Sequence, residues 1–154
     1  MPRLAASRAD RSGGDLYVAS NNARNRKGLD DFLRLAWPRI HRLAPHAELW
    51  VVGSVSDVVG DREVAGVKVL GRVDDLRARY EGASLVINPA VAGTGLKIKI
   101  LEALCHFRPV VTWPAGVDGL PADVAALCMV ARDWYEFSEQ VVAVMTGARD
   151  PASR

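Results

Sequence analysis

"SLVINPAVAGTGLKIKILEALCHFRPVV", residues 84–111, is the stretch whose reading decides the fold. It begins with a continuous apolar run, SLVINP, and the lack of polar alternation predicts a strand covered on both faces. A turn holding Gly93 and Gly95 follows. A helical pattern then runs to about His106, and a second apolar run, RPVVTW, predicts another strand. The turn poses an electrostatic problem. A helix N-terminus carries partial positive charge and ordinarily attracts acidic side chains, yet Lys97 and Lys99 stand in this first turn, each at a cost of about 0.3–1 kcal/mol. A bound phosphate would reverse the sign. The glycines let a ligand approach the backbone, and the free N–H groups of the first turn hold an anion. Lys97 is assigned to that anion. Lys99 is read as structural, pairing with Glu102 along the helix, and the alternative for both lysines is plain exposure to solvent.

The same alternation extends outward in both directions. Leu16 to Ala19 reads as a strand, and NNARNRKG as a polar, basic loop. A helix is predicted from about Gly28 to Leu43, because Leu29, Phe32, Leu33, Ala36 and Ile40 recur at spacings of three and four. Pro38 should kink or divide it. AELWVVG, ending on Gly53, and VKVLG, ending on Gly71, are further strands, and DDLRARYEGA is a short helix with an acidic start. PADVAAL, LCMVA and DWYEFSEQVVAVM supply a helical turn, a strand and a closing helix. Continuous apolar strands alternating with helices predict an α/β fold: a Rossmann-like, doubly wound parallel sheet in three α/β/α layers. Ligands in such sheets bind beyond the carboxyl ends of the strands, which points to the loops after Ser20, Gly53, Gly71, Asn88 and Thr112. Residues 15–146 form the expected domain, with 1–14 a flexible lead-in and 147–154 a loose tail.

Composition narrows the function classes. A chain of 154 residues with 49% hydrophobic and 25% charged residues suits one ordinary globular domain. A net charge of +2 argues against a nucleic-acid binder. No apolar run reaches the about 20 residues that span a bilayer, and the arginine-bearing N-terminus lacks the apolar core of a secretory signal. Cys105 and Cys128 lie in apolar runs with no metal or redox spacing, so both are expected to be buried free thiols in a reducing, cytoplasmic setting.

Two further groups of residues carry chemistry. Arg24, Arg26 and Lys27 can share a rim with the lysine-bearing turn and form a cationic pocket for a diphosphate; the bland alternative is a solvated basic loop. Gly28 fits either close backbone approach or a plain helix start. Glu102 is the one acid in an apolar helix, placed to accept hydrogen bonds from ribose hydroxyls or else simply exposed. Gly93-Thr94-Gly95 matches the first half of a dinucleotide fingerprint. Ile98 occupies its last position, however, and the motif lies mid-domain, which disfavours an NAD-binding oxidoreductase.

Taken in order, LYVASNNARNRKGLDDFLRLAWPRI, AELWVVG, VKVLGRVDDLRARYEGASLVINP and GTGLKIKILEALCHFRPVVTWPAGVDGL resemble a known family. It is the C-terminal, nucleotide-sugar-binding domain of retaining GT-B-fold glycosyltransferases, group 1 or family 4-like. The resemblance runs from about Asp15 to Met145, and K-x-LEAL followed by RPVV and GVDGL is its most specific part. It implies one half of a GT-B fold. Arg24, Lys27 and Lys97 would be the catalytic cations on the donor diphosphate, with Arg26 as the alternative to Arg24. Gly53, Arg72, Val73, Thr94, Gly95, Leu96 and Glu102 would bind substrate. Of these, Arg72 and Val73 would meet the nucleobase, Gly95 and Leu96 would offer backbone N–H groups to the phosphates, and Glu102 would hold the ribose.

The resemblance also implies a nucleoside-diphosphate sugar as donor, with no cofactor and no metal. Many relatives carry two glutamates seven residues apart, and the first would fall on Thr94. His106 stands where small residues are common and Phe107 where glycine is common; both are read as packing. An acceptor-binding domain would precede residue 15, so the chain reads as a fragment, a truncated product or one partner of a split enzyme, inactive alone. Peripheral contact with the inner membrane face would come through that other domain. The competing readings are a non-catalytic nucleotide-binding module or subunit and half of a nucleotide-sugar epimerase. Nucleobase, sugar and acceptor have no side-chain signature.

Overall fold

The apolar runs form strands because helices cover them on both faces. The computed structural model describes residues 13–91 and 96–147, and of Leu96 and Lys97 it describes the helical backbone alone. The lead-in expected over 1–14 and the tail over 147–154 therefore lie almost wholly outside the described residues. In chain order the elements are β1 (Asp15–Val18), α1 (Ala23–Leu35), α2 (Trp37–Leu43), β2 (Leu49–Val52), a 3-10 turn (Ser54–Val58), β3 (Val67–Gly71) and α3 (Leu76–Gly82). Then come β4 (Leu85–Asn88), α4 (Leu96–Cys105), β5 (Val110–Thr112), α5 (Pro114–Val117), α6 (Ala122–Ala125), β6 (Cys128–Val130) and α7 (Trp134–Met145).

The strands lie in the order β3-β2-β1-β4-β5-β6, and every pairing is parallel. The chain winds outward from β1 in one direction and then from β4 in the other, so the sheet is doubly wound and Rossmann-like, as expected. Its two faces carry separate cores. On one face Leu29 and Phe32 of α1, Trp37 and Ile40 of α2, and Phe137 and Val141 of α7 pack against Val51 and Ile87. On the other, Tyr80 of α3 and Ile100 and Ala103 of α4 pack against Leu16, Val86 and Val110.

Three local expectations change, and the division expected at Pro38 is met. First, α1 begins at Ala23, because the Asn22 side chain accepts a hydrogen bond from the Asn25 N–H at 2.9 Å and caps the helix. The basic residues thus occupy a first helical turn and not a loop. The helix divides at Ala36, and Pro38 sits in the first turn of α2, where its missing N–H breaks no ladder bond. Second, Cys128 is buried but Cys105 is exposed, because it lies on the outer side of α4.

The last change is at Phe107, which was expected to pack. It is 51% exposed and adopts φ 58°. The helix end explains this. Arg108 N–H donates to the Ala103 carbonyl at 3.1 Å and Phe107 N–H to that of Leu104 at 2.9 Å, the paired bonds of a Schellman motif whose left-handed residue is normally glycine. Phe107→Gly should therefore raise stability by about 0.5–1 kcal/mol, as the left-handed penalty on an L-residue exceeds glycine's entropic cost. A lower urea midpoint for this variant would contradict that reading.

At the amino edge of the sheet, Asp15 is fully buried and neither carboxyl oxygen has a hydrogen-bond partner among the described residues. Burial holds its pKa well above the ordinary value. For a raised carboxyl pKa the stability is fully present below the ordinary carboxyl value, where both states are protonated, and is lost as pH rises from there through the raised value. Asp15→Asn should thus gain stability over the parent chain as pH climbs from about 4 toward neutrality. Urea midpoints across that range should diverge; a pH-independent difference would contradict the assignment.

Candidate functional site

β1 pairs with β2 along its whole length, Asp15 to Val18, but with β4 only through Asp15 and Leu16. Beyond that point the two central strands part. A narrow crevice opens between them, bordered by Val18, Asn88, Tyr80, Lys99 and Ile100. The strand order reverses here, which is where open α/β sheets admit ligands.

The chain leaving β4 is fixed at two points at the mouth of this crevice. At the first lies Gly28. A Cβ there would come within 2.8 Å of both the N and Cα of Ala90, so only glycine lets α1 lie against this backbone. At the second, the Trp113 indole N–H donates to the Pro89 carbonyl at 2.7 Å, anchored by an edge-to-face contact with Trp134 at 4.7 Å. α1 is thereby held beside the segment that leads to residues 92–95. Arg24, four residues before Gly28, shares its helix face.

The three basic residues of α1 differ in their bonds. Arg24 is exposed, and no ion pair involves it among the described residues. Arg26 donates to the Asn21 side-chain oxygen at 3.0 Å, which favours Arg24 over Arg26 as the free cation. Lys27 pairs with Asp31 at 2.9 Å, and Arg34 holds the other oxygen of the same carboxylate at 3.0 Å. The hydrogen bond from Lys27 is the main cause of a lowered Asp31 pKa, acting against burial and alongside Arg34.

The remaining candidates spread along the carboxyl rim. Gly53 has φ 98° and lies too close to the Ala19 carbonyl for any side chain, while its N–H donates to the Gly71 carbonyl at 2.7 Å. Its amide is thus occupied within the fold. Arg72 is exposed and Val73 half-buried, just past β3. Thr94 and Gly95 lie outside the described residues. Leu96 and Lys97 open α4.

Glu102 is half-buried, and it does not pair with Lys99. It accepts a hydrogen bond from the Tyr80 hydroxyl at 3.0 Å. The Tyr80 ring stacks on His106, centroids 5.1 Å apart and planes 9° from parallel, so the packing reading of His106 holds. Burial, then the charge and hydrogen bond of Glu102, raise the Tyr80 pKa well above its ordinary value. Lys99 is half-buried on the crevice. Tyr80 escaped sequence reasoning: α3 and α4 are separated by a strand, and no local pattern marks a contact between them.

With this geometry in place, the family can be stated. The chain belongs to the glycosyl transferases group 1 family, whose model matches residues 15–147. An uncharacterised 44.6 kDa protein in the cps region of Klebsiella pneumoniae is 22% identical over 139 residues, covering 84% of this chain and 35% of that protein. The chain thus spans about a third of that relative's length. Among the described residues no helix is long and apolar enough to cross a membrane.

The Gly28 contact makes a sharp prediction. Within an ordinary helix Gly→Ala stabilises by about 1 kcal/mol. Here Gly28→Ala should instead destabilise by about 1–3 kcal/mol, because α1 must move off Ala90. A denaturation midpoint at or above that of the parent chain would show that the contact is not close.

Proposed function

We propose that this chain is the donor-binding unit of a retaining glycosyltransferase of GT-B architecture, taking a nucleoside-diphosphate sugar across the carboxyl rim of its sheet. The observation that carries this reading is that two helices with basic first turns, α1 and α4, flank the crevice where the strand order reverses. A doubly anionic diphosphate at the mouth of the crevice would meet both helix N-termini together with Arg24, Lys27 and Lys97. The base would lie toward Arg72 and Val73. Three strand spacings separate β3 from β4, roughly 14 Å, a distance suited to an extended nucleoside diphosphate.

Lys27 reaches the phosphate by leaving Asp31. That exchange is cheap, since an exposed ion pair is worth about 0–1 kcal/mol and Arg34 stays on the carboxylate. Negative charge grows on the diphosphate as the glycosidic bond breaks, so fixed cations and backbone N–H groups act most strongly in the transition state. These cations stand in for a metal, and transfer proceeds without one. The acceptor would be bound by a second domain, in cis or on another chain, whose closure excludes water. The length of the Klebsiella relative, about three times the stretch matched here, supports a larger working unit.

Thermal unfolding of the chain with UDP, GDP, ADP, TDP, their sugar conjugates and NAD tests the reading. A ligand at 100 times its dissociation constant should add about 2.7 kcal/mol of stability. One nucleoside diphosphate should shift the midpoint clearly, and Lys27→Ala should weaken its binding by at least about 1 kcal/mol. A shift with NAD alone, or no effect of Lys27→Ala in a folded sample, would contradict the diphosphate assignment.

A further inference from the structure

The bond between Tyr80 and Glu102 joins two elements that have no sequence reason to meet. Tyr80 lies at 2% exposure, near the end of α3, packed in the same core as Ile100 and Ala103 of α4 and stacked on His106. Its ring therefore has one seat. From that seat the hydroxyl donates to Oε2 of Glu102 at 3.0 Å. An ionised carboxylate only accepts, and it has two oxygens with about four lone-pair positions. Tyr80 engages one oxygen. Oε1 has no hydrogen-bond partner among the described residues, and it belongs to a side chain whose free rotation has already been restricted.

A glutamate loses about 1.5–2 kcal/mol of rotamer freedom when it is fixed. Fixing it before a ligand arrives removes that cost from binding. The ligand groups that suit such an oxygen are hydroxyl donors, and a vicinal diol supplies two.

We propose that Tyr80 is a positioning residue that holds Glu102 by one carboxylate oxygen so that the other receives a ribose hydroxyl, making the Tyr80–Glu102 pair the determinant of ribo- over deoxyribonucleotide choice. This rests on the donor-site reading above. Tyr80 does not touch the ligand. It acts through Glu102, and the stacking of its ring on His106 keeps the hydroxyl in register. A purely structural tyrosine would affect all nucleotides alike, whereas a positioning tyrosine affects only those that carry the hydroxyls.

Calorimetric titration of the full chain with UDP, GDP and ADP, and with the 2′,3′-dideoxy counterpart of whichever binds, tests the inference. The parent chain should prefer the ribonucleotide by about tenfold or more. Tyr80→Phe keeps the ring and its stack. It should lower that preference to about twofold or threefold while leaving dideoxynucleotide affinity unchanged. Glu102→Asp keeps the charge but withdraws it from Tyr80, and should lose preference similarly; adding Tyr80→Phe to Glu102→Gln should change nothing more.

Full preference in folded Tyr80→Phe overturns the inference, as does an equal loss for both nucleotide forms. Binding without ribose preference in the parent chain overturns it too, yet leaves the diphosphate contacts standing. No binding of any nucleoside diphosphate removes the donor-site reading and the inference with it.

Discussion

The absence of a side chain at Gly28 is the constraint on which the site depends. A single methyl there would overlap the backbone of Ala90. Because it is missing, α1 lies directly against the chain leaving β4, and the Trp113 indole holds the same chain by the Pro89 carbonyl. The sheet contributes its part by parting β1 from β4 after Leu16 and Val86. One close approach, one buried hydrogen bond and one break in a ladder thus place two helix starts beside the same opening.

Those helix starts share an unusual charge pattern. Neither α1 nor α4 has an acidic residue in its first turn, although the helix dipole favours one. Both carry basic residues instead. Elsewhere Asp75 caps α3, and Asp133 caps α7 with Glu136 in its first turn, while α2 also lacks an acidic first turn and carries Arg39 there. At α1 and α4, the two that border the crevice, a ligand anion would supply the missing negative charge.

Much of this was legible in the sequence. Continuous apolar runs foretold a parallel sheet because burial on both faces removes any need for alternation. The spacing of Leu29, Phe32, Leu33 and Ile40 foretold helices on the sheet, and Pro38 foretold a break. What escaped was decided by contacts distant in sequence or by competition within a few residues. Asn22 moved the start of α1 because its side chain supplied a cap that composition alone did not reveal. Glu102 was expected beside Lys99, the nearest cation along the helix, but the buried Tyr80 hydroxyl took it. Phe107 was read by its hydrophobicity, whereas its backbone position in a helix-ending motif governs it.

The donor-site reading puts a nucleoside diphosphate at the crevice mouth between α1 and α4. Amide chemical-shift mapping of the isotopically labelled chain, titrated with UDP, GDP, ADP and TDP in turn, tests it most directly. The donor-site reading predicts that one of these ligands perturbs residues 22–28 and 91–99, with a weaker response at Arg72 and Val73, and that β6 and α7 stay unperturbed. Perturbations centred at the amino edge of the sheet around Asp15, or a saturable response to NAD with none to the four diphosphates, would contradict it.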